Sequence, residues 1–156
     1  MHKILNIITE PNGVLRQKSL SLNQKEIKSN KIKKLCSDMA KTMLKKDGIG
    51  LAAPQIGKNI RIIIINTKEK PICMINPIIT YKSWAKEWGE EGCLSVPNVF
   101  GKVKRCKKIK YKYFDNKGNK LIVNAEGLMA RVIQHEIDHL DGILFIDKAK
   151  NIKKEI

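Results

Sequence analysis

The chain reads as α+β, and three observations carry that reading. A helical pattern lies near the start, a series of short strand-like segments fills the middle, and a second helical pattern follows. Helices set apart from a run of antiparallel strands build α+β domains, whereas strict alternation would build a parallel sheet.

Leu22 to Lys46 is the first helical segment. Ile32, Leu35, Cys36, Met39 and Met43 recur at three- and four-residue spacing, which puts them on one face of an amphipathic helix. The helix should stop before Gly48. Arg61 to Asn66 is short and β-branched, hence a strand. Ile72 to Tyr81, interrupted by Pro77, and Trp84 to Trp88 read as further strand pieces. Val103 to Phe114 reads as one strand, with Ile109, Tyr111 and Tyr113 on one side and Lys108, Lys110 and Lys112 on the wet side. Asp115 to Asn119 is a turn, and Lys120 to Val123 should pair back as a hairpin. The second helix is expected between Asn124 as N-cap and Gly142 as stop. With so little chain after Phe145, any C-terminal helix must be short.

The length of 156 residues suits one domain, residues 1–156, with a true core. No apolar run approaches the ~20 residues of a membrane helix. The start, Met1-His2-Lys3-Ile4-Leu5-Asn6, has no apolar stretch or cleavage pattern of an export signal. A cytoplasmic location is therefore expected. Cys36, Cys73, Cys93 and Cys106 form no CxxC pair, so four free thiols in a reducing compartment are expected. The formal net charge is +16, and such a field attracts polyanions. The basic residues are nearly all Lys, scattered beside Ile and Asn. A solvated lysine surface is the plainer reading, with ribosome contact as its one suggested use.

His135-Glu136-Ile137-Asp138-His139 is an HExxH pattern within the second helix. Two His at i and i+4 rise along one face and can reach one cation, while Glu136 stands beside it as a general base. The bland alternative is a polar helix that carries the pattern by chance. Leu128 and Val132 continue the same stripe and are apolar, so the two imidazoles should point inward and need partners.

A catalytic metal needs a third ligand and an open position. The extended HExxHxxGxxH pattern fails, because position 145 is Phe145. Downstream the only remaining Glu is Glu155, and His2 sits at the opposite terminus. A thiolate from upstream is the best donor left. Cys36 and Cys73 read as core, and Cys106 falls on the wet side of its strand. Cys93, in Glu90-Glu91-Gly92-Cys93-Leu94-Ser95-Val96-Pro97, lies in a glycine-flanked break that can present both a sulfur and backbone N–H groups.

Gly48-Ile49-Gly50-Leu51-Ala52-Ala53-Pro54-Gln55 follows the first helix and lacks the lysine and hydroxyl of a phosphate loop. Alone it reads as a helix cap and turn. Together with Glu91 to Ser95 and Gln134 to Gly142 it resembles, in the same order, the GxGxAAPQ, EGCLS and QHExDHxxG motifs of the peptide deformylase family. The resemblance covers nearly the whole chain. It implies antiparallel sheets packed around the HExxH helix. It implies ligands Cys93, His135 and His139 to one divalent metal, with solvent in the fourth place. Ferrous iron is the expected native ion, and zinc, nickel or cobalt fit the same donors. A ferrous–thiolate site should be oxygen-sensitive. The implied reaction removes formyl from N-terminal formyl-methionine of nascent polypeptides, with Glu136 as base. Gln55 and the Leu94 N–H would be the oxyanion donors. Gly50 would pair with an extended substrate, and Ile49, Leu128 and Val132 would line the methionine pocket beside Arg131. Glu91 pairing with Arg105 would hold the Cys93 loop. A monomer is expected.

Two rivals remain on the residues alone. An HExxH peptidase would release a cleaved peptide rather than formate. A basic RNA- or ribosome-binding domain would use a closed four-ligand site, whereas three good ligands and a spare Glu favour catalysis.

Overall fold

Short polar caps decide where the helices begin. Asn23 accepts the Glu26 N–H at 2.9 Å and starts a single turn, α1 (Gln24–Ile27). Ser29 then accepts the Ile32 N–H at 3.3 Å and starts α2 (Asn30–Lys45). The single helix expected over Leu22 to Lys46 is thus two, because Ser29 holds extended backbone between them. The computed structural model describes Lys3 to Glu155. His2 lies outside those residues.

The strands follow as β1 (Gly50–Ala52), β2 (Ile62–Asn66), β3 (Pro71–Lys82), β4 (Lys86–Cys93), β5 (Val96–Cys106), β6 (Lys108–Phe114) and β7 (Lys120–Glu126). Helix α3 (Gly127–Leu140), a 3-10 turn at Phe145–Asp147 and β8 (Lys150–Lys154) complete the chain. One antiparallel sheet runs β1-β2-β3-β6-β7 and a second runs β4-β5-β8. The fold is α+β, as the order of patterns required.

Strand β2 explains the layering. Its four isoleucines alternate faces and all are buried. Ile62 and Ile64 meet Met39 and Met43 of α2, while Ile63 and Ile65 meet Ile133 and Ile137 of α3. A strand covered on both faces loses the alternation of a half-wet strand. Strand β3 bulges at Asn76–Pro77 and so stays in the sheet. Asn76 ties the bulge to Leu22, accepting its N–H at 3.0 Å and donating to its carbonyl at 2.8 Å.

The strand expected over Val103 to Phe114 breaks at Lys107, and its halves join different sheets. Ile109, Tyr111 and Tyr113 still face inward, but the parity resets, so Cys106 is buried rather than wet. From Phe145 on, the described residues form only a 3-10 turn and β8, which pairs with the free edge of β5. Cys36 and Cys73 are joined as a disulfide rather than free. Packing α2 on the sheet brings their Cα atoms to 6.0 Å, inside the range a disulfide spans. Cys93 and Cys106 are free. No helix among the described residues is long and apolar enough to cross a membrane.

Gly142 closes α3 with φ +75, and a Cβ there would run into the Arg16 carbonyl. Gly142→Ala should therefore lose more than the ~1–2 kcal/mol of left-handed backbone alone. A urea midpoint equal to wild type would contradict this.

Candidate metal centre and active-site cavity

Helix α3 and one hairpin build the site. Gly127 takes φ +64 and swings the chain from β7 into α3. Asn124 is not the cap, since it pairs with Lys110 inside β7, and Glu126 takes the N-cap position. From this start His135 and His139 fall on the buried face, at 9% and 1% exposure. Leu94–Ser95 is a two-residue turn between β4 and β5, with Cys93 and Val96 paired across it. That turn carries the thiol to the helix.

Cys93 Sγ lies 3.4 Å from His139 Nε2. One ligand atom each from Cys93, His135 and His139 falls within 4.8 Å of the others. Sulfur at ~2.3 Å and nitrogen at ~2.0–2.1 Å from one tetrahedral ion stand about 3.5 Å apart, so the sulfur–imidazole spacing suits a shared cation. The His135 ring gives its Nδ1 to Glu91 Oε1 at 2.8 Å. That contact leaves Nε2 for a cation, the usual arrangement for a ligating imidazole. Burial first, then the charges of His135 and Arg105, drives the His139 pKa well below its ordinary value. A neutral ring with a lone pair results. Burial opposes charge on His135 too, but Cys93 and Glu91 draw its pKa up to about 10. A cation at that ring takes the place of the proton. The donors present therefore fit a divalent metal.

Glu136 stands beside this cluster. It is 4% exposed, its Oε1 is 4.0 Å from His135 Nε2, and its Oε2 has no hydrogen-bond partner. Burial is the main cause that lifts its pKa to about 7. Gly50 makes room for it: a Cβ at Gly50 would sit 2.6 Å from Glu136 Oε1. Gln55 is held by both ends. Its Oε1 accepts the Ala52 N–H at 2.9 Å, which aims Nε2 at Ser95 Oγ (3.2 Å) and Cys93 Sγ (3.4 Å). Among the described residues the Leu94 N–H has no acceptor.

Glu91 is the anion of the site. Arg105 donates to it through Nε and Nη2, both at 2.9 Å, and Arg131 through Nη1 at 2.7 Å. Burial would raise its pKa, but the Arg105 and His135 hydrogen bonds hold it far below the carboxylate range. Arg105 also meets Asp138 Oδ2 at 2.5 Å, and Lys148 meets the same oxygen at 3.0 Å.

A cavity of about 540 Å³ opens over these groups, with Ile49, Gly50, Leu128 and Val132 in its lining. Leu128 departs from the expected inward stripe: it is 67% exposed and stands at the rim, because the first turn of α3 projects there. Phe100, Pro97 and Asp47 also line the cavity. No motif marked them. The acid at Asp138 was printed in HEIDH, but its partners Arg105 and Lys148 come from other elements.

The sequence pattern of the polypeptide deformylase family matches residues 4–155. The chain belongs to this family. A peptide deformylase of Desulfitobacterium hafniense is 42% identical over 151 residues, covering 97% of this chain and 98% of its own. One from Pelotomaculum thermopropionicum is 52% identical over 121 residues, 78% of this chain and 77% of its own. The crystal structure of the Thermotoga maritima peptide deformylase superposes with a TM-score of 0.92 at 38% identity, covering 96% of this chain and 99% of that one. A Synechococcus elongatus peptide deformylase in complex with actinonin gives 0.89 at 39%, covering 94% and 79%. Within the deformylase fold the Glu91 network should be strongly coupled. Glu91→Ala and Arg105→Ala should each cost about 3–5 kcal/mol in denaturant unfolding, since each strands a buried charge. The double variant should cost less than their sum by over ~1 kcal/mol; strict additivity would mean the pair does not act together.

Proposed function

We infer that the chain hydrolyses the formyl group from the N-terminal formyl-methionine of newly made polypeptides and releases formate. The observation that carries the reading is the meeting of Cys93, His135 and His139 beside the buried, unpartnered Glu136 oxygen at the floor of an open cavity. Family membership supports the same reading. In this proposal residues 1–156 act as one catalytic domain, both sheets close on α3 as the central helix, and α2 lies outside as the amphipathic N-terminal helix.

The metal ligands are Cys93, His135 and His139, holding one divalent ion that we take to be Fe²⁺. When bound, such an ion lowers the pKa of water and polarises a carbonyl oxygen. The remaining work falls to side chains and backbone. Glu136 accepts a proton at Oε2 from the attacking water and returns it to the departing amine. Gln55 Nε2 and the Leu94 N–H donate to the oxygen that gains charge as the formyl carbon becomes tetrahedral. The edge position of β1 supports pairing of an extended substrate with Gly50. Ile49, Leu128 and Val132 take the methionine side chain. A cytoplasmic monomer is our reading, with ribosome contact through the lysine surface.

Formyl-Met-Ala-Ser should yield formate and intact Met-Ala-Ser. Cys93→Ala and Glu136→Ala should both abolish turnover, but only Cys93→Ala should also lose bound metal. Gln55→Ala should lower kcat about 10²–10³-fold, the effect of removing one oxyanion donor. Wild-type turnover in Glu136→Ala, or a cleaved Met–Ala bond, would overturn the assignment.

A further inference from the structure

The pocket assigned to the first side chain contains a cation. Arg131 lies one helical turn before His135 on α3 and lines the same cavity as Leu128 and Val132. A guanidinium has five N–H donors and stays charged. Nη1 spends both of its own on Glu91 Oε2 (2.7 Å) and the Val103 carbonyl (2.9 Å), and Nη2 donates to the Glu87 carbonyl at 2.8 Å. Among the described residues nothing accepts the Nε–H. Yet no Arg131 nitrogen belongs to the sealed polar atoms that lack a partner. The Nε–H is therefore not sealed from water, and Arg131 is among the residues that line this cavity.

Gly89 makes this placement possible. It shares the inner side of β4 with Glu91, two residues on. A Cβ at Gly89 would stand 2.7 Å from Arg131 Cζ and 2.8 Å from Nε. Any side chain there would push the guanidinium away. The absence of a side chain at 89 and the arginine at 131 are thus one device, which sets a charged donor in the cavity beside Ile49, Leu128 and Val132.

We propose that Arg131 is a specificity-determining residue. It extends deformylation to formyl-peptides whose first side chain ends in a hydrogen-bond acceptor, with methionine sulfoxide the case nearest methionine in length. The proposal rests on the deformylase reading above. A hydrocarbon end strips water from the Nε–H and returns nothing. A sulfoxide oxygen replaces that water with a charge-assisted bond. The reaction itself is unchanged: water adds to the formyl carbon, the C–N bond breaks, the amine leaves protonated and the sulfoxide is untouched.

The test compares kcat/KM for formyl-Met-Ala-Ser, its norleucine analogue and its methionine sulfoxide analogue in the metal-loaded protein. The sulfoxide-to-norleucine ratio should be about tenfold higher in wild type than in Arg131→Leu, the scale of one charge-assisted hydrogen bond, with the difference mainly in KM. Using a ratio cancels any general loss caused by loosening Glu91. If Arg131→Leu does not fold, Gly89→Ala decides, since it keeps the arginine but displaces it. A fall in the ratio there supports the proposal. A ratio within about twofold of wild type in whichever variant folds overturns it. Formate from none of the three substrates would overturn the functional reading, and this proposal with it.

Discussion

The site depends on one carboxylate shared among three cationic or polar donors. Glu91 leaves β4 and meets Arg105 from β5, Arg131 from α3 and the His135 ring. A lone buried carboxylate would cost several kcal/mol, and a partly satisfied one is worse than hydrocarbon. Here both oxygens are taken from two sides, so the charge is tolerated and the three elements are fixed relative to one another. The second sheet is attached to α3 through this contact as well as through Val103 and Phe145. Two residues along β4 from Glu91, Cys93 inherits that placement. The Cys93 sulfur and the His135 ring are thereby positioned by the same anion.

Clearance is the second constraint. Glu136 can be buried beside the Cys93, His135 and His139 cluster only because Gly50 has no Cβ, and the β4–β5 hairpin can close only where Gly92 lets Phe100 approach. These glycines belong to the conspicuous motifs, yet they act by what they leave empty. Gly50 also sits on an edge strand, so one residue serves both the packing of Glu136 and the rim of the cavity. Substituting it would disturb two functions that no single contact links.

The sequence showed the periodic and the local. The apolar face of α2, the inward set Ile109, Tyr111 and Tyr113, and the i,i+4 imidazoles are all properties of a helix or strand alone, and each is found in place. What tertiary packing decides was harder to read. Lys107 breaks a pattern that looks continuous, because its two sides pair with different partners. Leu128 obeys the helical stripe but stands exposed in the first turn of α3. Cys36 and Cys73 are thirty-seven residues apart in sequence, and nothing local announces their approach. The site divides in the same way. The motifs print Cys93, His135, Glu136 and His139, and the expected Glu91–Arg105 pair is present, while the third partner of that hub, Arg131, reads in sequence only as a neighbour of the pocket and not as a donor to Glu91.

The charge of the whole chain and the charge of the cavity obey different rules. The net +16 comes from 31 basic residues against 15 acids, and most lysines are exposed. Screening over roughly 8–10 Å confines their fields in salt. Around the cavity the balance differs: Glu90, Glu91, Glu136 and Asp47 line it, opposed among the lining residues by Arg131 and the imidazole of His135. Of those acids, Glu91 is already neutralised by its arginines. An anion-rich rim and floor favour a divalent cation, and in the proposed reaction they leave Glu136 free to take a proton. Lysines on the far surfaces neither assist nor oppose that chemistry. Their effect is confined to what the outside of the molecule meets.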